Sequence, residues 1–302
     1  MSQDAPQRLH FLDGLRGLAG LYVLLFHEAT AKVEGDDVLS PPLQLLQGFL
    51  KEGRHSVVFF IVLSGFSLML PIARSGASVL VGGFRRYLYR RARRILPPYY
   101  AALFFSLAMV IAYNKLGAHS DGTGPLDAAL RPGAIVSHLF LVHNLSFDWA
   151  FRINGPMWSV ATEWQIYFLF GLLLLPLRRF IGGGATVLIA WIVSSLPTFL
   201  LPVEMNLWWA SPWFVGSFAL GMYGADIGFL PSAGAPRRPL PWVALTWLSF
   251  LCVALIAVVE PSWPYPAIDL PVSLFAFCWI NAGVQLTNRG AEQKSLMLRV
   301  LG

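Results

Sequence analysis

Charged side chains are scarce in this 302-residue chain: Asp, Glu, Lys and Arg make up only 13% of it, against about a quarter in a soluble domain. That scarcity excludes a water-soluble globular protein. It leaves a multi-span membrane protein, in keeping with 56% hydrophobic residues and a mean hydropathy of +0.60. Cysteine is nearly absent as well. The two present, Cys252 and Cys278, lie inside apolar runs and read as small core residues, which excludes a disulfide framework and zinc-ligand spacing. Internal repeats, low-complexity tails and a soluble domain are all lacking. A metal site finds no support: His138 and His143 are five residues apart, off one helical face, with no Cys or carboxylate at ligand spacing nearby.

Aromatic residues are plentiful, at 14% with 11 Trp, as suits a chain with many interfacial anchors. The net charge of +6 raises the question of nucleic acid. However, six of the 22 basic residues fall within Arg85–Arg94, and others flank hydrophobic runs as topology signals do. A nucleic-acid partner is therefore not expected.

A span needs about 20 mostly apolar residues. Eight stretches qualify: Leu12–Ala31, Ser56–Ile72, Ile95–Lys115, Met157–Leu177, Ala185–Pro202, Trp208–Phe229, Pro241–Val259 and Ile268–Thr287. A ninth, Gly133–Leu145, is too short to cross comfortably and reads as a re-entrant or tilted helix. The predicted class is an all-α polytopic membrane protein of eight to ten transmembrane helices. Positive-inside counting places Arg74–Arg94 in the cytoplasm, and the N-terminus with it. Arg178/Arg179, Arg237/Arg238 and Arg289/Lys294/Arg299 then also lie inside, while the outer loops hold Glu34, Asp36, Asp37, Glu204, Glu260 and Asp269. Arg8, Arg16, the run Leu18–Phe26 and Ala29-Thr30-Ala31 imitate a signal peptide. Asp13 and His27 interrupt that pattern, so an uncleaved first span is expected.

That first span carries Asp13, Arg16, Gly20, Leu24 and His27 on one narrow stripe at about 100° per residue. Ionisable groups inside a bilayer are costly and normally face protein or a wet cavity. His27 has two readings: a packing histidine satisfied by a carbonyl or Glu28, or a proton acceptor, for which imidazole is well suited near neutral pH. Arg16 lies 11 residues earlier, about 16 Å along the helix. An anionic end of a substrate could sit near Arg16 while the reacting group reaches His27.

Three further blocks carry chemistry. Arg91 and Arg94, at i and i+3, precede Pro97-Pro98-Tyr99-Tyr100. They read either as topology determinants touching anionic lipid headgroups or as paired guanidinium groups for the phosphates of a soluble donor such as acyl-CoA. Ser64-Gly65, within Phe59-Phe60-Ile61-Val62-Leu63-Ser64-Gly65-Phe66, reads as close helix packing or part of a site. Glu163, in the block Trp158–Tyr167, is an acidic residue inside the expected membrane edge, and reads as an ion-pair partner or a substrate contact.

Taken in this order, the four blocks resemble acyltransferase family 3, the integral-membrane O-acyltransferases that modify bacterial glycans. The matching residues are Leu12-Asp13-Gly14-Leu15-Arg16-Gly17 with His27, the Phe59–Phe66 block, Arg91-Ala92-Arg93-Arg94-Ile95-Leu96-Pro97, and Trp158-Ser159 with Glu163 and Tyr167. They span residues 8–170; beyond that only the hydrophobic rhythm matches. The resemblance implies one acyltransferase domain over 1–302 in the bacterial inner (cytoplasmic) membrane. It implies transfer of an acyl group, commonly acetyl, from cytoplasmic acyl-CoA to a hydroxyl of a glycan, a lipid-linked sugar or a glycoside. It implies His27, Arg16 and Glu163 as catalytic, and Arg91, Arg94, Asp13, Ser64 and Trp158 as substrate- or acyl-CoA-binding, with membrane lipids as partners. Acyl-CoA would be the donor substrate, and no permanently bound cofactor is expected. Family members usually continue past Leu-Arg-Val-Leu-Gly into a Ser/Tyr-rich final helix, so this chain is expected to lack it. The competing reading is a transporter or flippase for a glycan or acylated substrate, with Arg, His and Glu lining a pathway.

Overall fold

The computed structural model describes residues 9–31, 48, 50–115, 128–202, 205, 207–229, 240–259 and 262–301, and every regular element among them is helical. Glu34, Asp36, Asp37, Glu204, Glu260, Arg237 and Arg238 lie outside the described residues. Among the described residues, six helical stretches are long and apolar enough to cross a membrane: Gly53–Ser75, Gly83–Tyr113, Met157–Ile181, Gly183–Leu200, Trp242–Val259 and Tyr265–Gly290. The chain is thus an all-helical, multi-pass membrane protein. Two other expected spans are helical but fall outside this set. Helix α1, His10–Ala31, has 22 residues, and its ionisable stripe lowers its hydropathy. The helix Phe214–Phe229 has 16 residues, or about 24 Å, against a hydrocarbon core of about 30 Å.

The chain divides into two compact units, Met1–Gly76 with Ser217–Gly302, and Ala77–Gly216. In the first, α1 packs against α2 (Gly53–Ser75), and α2 against the long C-terminal helix Tyr265–Leu301. Val58, Val62, Phe66 and Met69 of α2 are fully buried, and their spacing of four, four and three fixes its inner face. Gly76 ends α2 in the left-handed region at φ 64°, its N–H turned back to the carbonyls of Ala73 and Ile72, as helix C-termini favour.

Small residues set how closely these helices approach. A Cβ on Gly65 would collide with the carbonyl oxygen of Phe218, and one on Gly221 with that of Val62. Gly65 therefore provides the close helix packing that its place beside Ser64 suggested.

In the second unit α3 runs from Gly83 to Lys115 straight through Pro97 and Pro98, so the Arg85–Arg94 cluster rides on the same helix as the apolar run. α4 (Pro132–Leu139) has eight residues, about 12 Å, and does not cross. After it, Leu141 adopts φ 53° and the chain makes a short 3-10 turn at His143–Leu145. Irregular backbone near a membrane must find polar partners within the protein. Here Gln165 and Asn144 exchange hydrogen bonds of 2.7 and 3.2 Å, Asn144 also donates to Thr162 Oγ1 at 3.0 Å, and Gln165 to the Leu141 carbonyl at 3.0 Å. Thr162 and Gln165 belong to α5 (Met157–Leu169). Helix α5 continues through a π-helical turn, Phe170–Leu174, into α6 (Leu175–Ile181). Pro176 lacks an N–H and crowds the carbonyl four residues back, which accounts for the turn's irregular bonding. α7 follows at Gly183–Leu200. The remaining helices are α8 (Phe214–Phe229), α9 (Trp242–Val259) and α10 (Tyr265–Leu301).

One sequence expectation is corrected. Asp269 is not in an outer loop: it lies within α10, fully buried, 2.8 Å from Arg54 of α2. The same guanidinium stands 4.3 Å over the Tyr265 ring. A buried carboxylate survives only with such a partner, and that partner is 215 residues away in sequence.

Candidate functional site

The ionisable stripe of α1 runs alongside α2. Phe26 lies where a Cβ on Gly53 would stand, Gly20 faces Phe60, and Arg16 reaches Ser67. Rising α1 numbers meet falling α2 numbers, so the helices are antiparallel with this stripe between them. Arg16 Nη2 donates to Ser67 Oγ at 2.5 Å, and Nη1 donates to Asp13 Oδ1 at 3.0 Å. Ser67 Oγ in turn donates to the Leu63 carbonyl at 2.6 Å. The guanidinium is thus oriented by one carboxylate and one hydroxyl. It remains part-exposed, at 27% of its side chain, beside a more exposed Asp13. His27 is half-buried with its ring edge-on to Phe26 at 4.8 Å, and Ser64 is half-buried on α2. Within this unit the structure therefore puts Asp13 and Arg16 in direct contact, with His27 three helical turns further along the same face.

Arg91, Arg94, Trp158 and Glu163 belong to the second unit. Arg91 is half-buried and Arg94 exposed, so the pair is not equivalent. Arg91 and Glu163 both act electrostatically on the Tyr87 hydroxyl. Tyr87 Oη donates to the Tyr167 carbonyl at 3.2 Å, and Tyr167 Oη donates to Glu163 Oε1 at 2.5 Å. Arg91 of α3 and Glu163 of α5 thus share one tyrosine-lined cluster. Trp158, half-buried, sits 6.1 Å from the Phe214 ring.

The sequence reading missed Ser67, Tyr87 and Tyr167 as polar partners. Tyr167 was legible, standing four residues after Glu163 on one helix face. Ser67 and Tyr87 depend on tertiary packing and leave no local signal. It also missed how His138 and His143 meet. The left-handed turn at Leu141 folds the chain back and stacks the two imidazoles at 3.8 Å and 7°. Both are fully buried. His138 Nδ1 bonds the Ala134 carbonyl at 2.7 Å, and Tyr99 Oη donates to the His138 carbonyl at 2.8 Å. Among the described residues no group of three or more His, Cys, Asp or Glu could hold a metal ion.

Burial, and then its neighbour His138, push His143 down to about 3, and burial lowers His138 too. Both rings are neutral when folded, while the unfolded chain takes up protons near pH 6.5. For His143 the contribution is therefore complete above that pH and is lost as pH falls towards about 3, at about 1.4 kcal/mol per pH unit, and the lowered His138 acts in the same direction. We expect the melting temperature of purified protein in detergent to drop steadily from pH 7 to pH 5. His143→Phe, which keeps a flat ring in the stack, should flatten that slope; an unchanged slope would contradict the assignment.

A family model described as Acyltransferase domain, Acyl_transf_3, matches residues 9–302. Among curated proteins, the chain is 29% identical over 169 residues to "Putative peptidoglycan O-acetyltransferase YrhL" of Bacillus subtilis (strain 168), covering 54% of this chain and 23% of that one. It is 29% identical over 171 residues to "Protein 2 in picA locus" of Rhizobium radiobacter, covering 55% of this chain and 80% of that one. The match therefore spans about a quarter of the Bacillus protein's length. No solved structure matches.

Proposed function

The chain belongs to the acyltransferase family that carries this domain, and from that membership we propose that it is a membrane O-acyltransferase. It transfers an acyl group, acetyl in the first instance, from acyl-CoA to a hydroxyl of a glycan, glycoside or lipid-linked sugar. The name of the Bacillus relative, a peptidoglycan O-acetyltransferase, supports a cell-wall glycan as acceptor class. The protein works in the bacterial inner membrane with eight to ten spans, α1 among them, and a cytoplasmic N-terminus.

The observation that carries this reading is the α1 stripe: Arg16, oriented by Asp13 and Ser67, on the same α2-facing side as His27. A sugar hydroxyl does not ionise at neutral pH. His27 takes its proton as the oxygen attacks the thioester carbonyl carbon; the C–O bond forms, the C–S bond breaks, and the proton passes to the departing CoA thiolate. Arg16 steadies the negative charge that develops. An acyl-histidine intermediate is the variant of the same chemistry. Arg91 and Arg94 hold the donor's phosphates, Glu163 works with them through Tyr87 and Tyr167, and Trp158, Ser64 and Asp13 line the substrate path.

Mass spectrometry of cell-surface glycans from cells with and without the gene tests the function. Loss of O-acyl groups from one glycan class is expected; identical acylation in both would overturn it.

A further inference from the structure

Away from the ionisable stripe, α1, α9 and α10 of the first unit enclose an apolar groove of about 600 Å³. On α10 it is lined by Phe275, Trp279, Ala282 and Leu286, spaced four, three and four, so they form one helix face. α9 contributes Thr246 and Phe250, and α1 contributes Gly14, Leu15 and Leu18. These α1 positions fall on the side opposite Arg16 and His27, so the groove is separate from the candidate site.

Val243 and Trp247 continue the groove into a second cavity of about 590 Å³, which ends at Gln285 and Arg289. Arg289 stands three residues past Leu286, the next step of the same α10 face. It is exposed, and among the described residues its guanidinium makes no ion pair or hydrogen bond. Gln285 is fixed by donating to the Leu240 carbonyl at 3.2 Å, which closes the groove's end between α9 and α10.

The dimensions match one leaflet. Leu286 lies 11 residues after Phe275, about 16 Å along the helix, and half of a hydrocarbon core of about 30 Å is about 15 Å. Arg289 then sits about one turn beyond the acyl region, at headgroup depth. An apolar channel one leaflet long, with a cation at its polar end, complements an amphiphile with one negative charge.

The geometry points to a binding site for a single anionic phospholipid, its acyl chain along α10 between α1 and α9 and its phosphate on Arg289. Bulk hydrocarbon against a smooth helix bundle would show no headgroup preference; this groove should, because among the described residues its one charged lining side chain is a cation at one end.

The test is native mass spectrometry of the full chain in detergent, with phosphatidylglycerol and phosphatidylcholine of identical acyl chains. One phosphatidylglycerol per chain is expected to be retained about fivefold better than phosphatidylcholine, the preference that one surface arginine supplies. Arg289→Gln should bring the two lipids level. Gly14→Leu should lower retention of both, since a Cβ there meets no heavy atom within 4 Å and the larger side chain enters the groove. Thr246→Leu fills the same groove from α9 should Gly14→Leu not insert. Three results would overturn the proposal: equal retention of both lipids by the wild type, an unchanged preference in Arg289→Gln, or displacement by glycerol phosphate as effective as by intact lipid. Capture of a second copy of the chain by the groove, blocked by Gly14→Leu and indifferent to lipid, would overturn it as well.

Discussion

His27→Ala should lower acyl transfer by about 10²–10⁴-fold, the usual contribution of a positioned general base, while acetyl-CoA affinity changes little. The imidazole is half-buried on α1 beside Phe26, so its removal opens little core and the protein should still insert and melt near the wild-type temperature. The loss should appear in kcat, because the proton moves only in the transition state. A variant that keeps wild-type kcat would remove His27 from the chemistry and leave it a packing residue. A variant that loses only affinity would make it a substrate contact.

Asp269→Ala should be the most destabilising single change in the first unit. Removing one partner of a buried ion pair costs about 3–5 kcal/mol, because the other charge is left unpaired in low dielectric. Asp269 is fully buried and Arg54 is 23% exposed at its side chain, and the two are 2.8 Å apart. The helices they join, α2 and α10, flank the unit's core. Thermal unfolding in detergent should show a drop of several degrees for Asp269→Ala. The double variant Arg54→Leu with Asp269→Leu should recover most of it, since apolar side chains of similar volume carry no desolvation cost. Equal melting of wild type and Asp269→Ala would mean that the pair is not protein-buried.

The apolar stretches were legible because length and hydropathy fix a membrane helix almost alone. The α1 stripe was legible for a related reason: a 100° period places Arg16, Gly20 and His27 on one face, and costly groups in lipid must turn that face toward protein. That face does meet Phe60 and Ser67 of α2. Asp269 was misplaced because a charge near a span's end reads as a loop residue unless its partner is known, and Arg54 lies 215 residues away. The His138–His143 stack was illegible because helical spacing separates the rings. Only the left-handed turn at Leu141, an unusual conformation for leucine, brings them together. Tyr87 gives no signal of its own inside an arginine-rich run, although its hydroxyl donates to the Tyr167 carbonyl and lies within electrostatic range of Arg91 and Glu163.

Transferase and transporter place the same Arg, His and Glu in membrane helices, and they differ in whether a bond is broken. The most direct measurement is CoA thiol released from acetyl-CoA by purified wild-type protein in lipid nanodiscs, with and without a glycan acceptor. CoA release should rise with acceptor and match the acetyl groups gained by it one for one. Acceptor or acetyl-CoA crossing a liposome membrane with no CoA released would contradict the transferase reading.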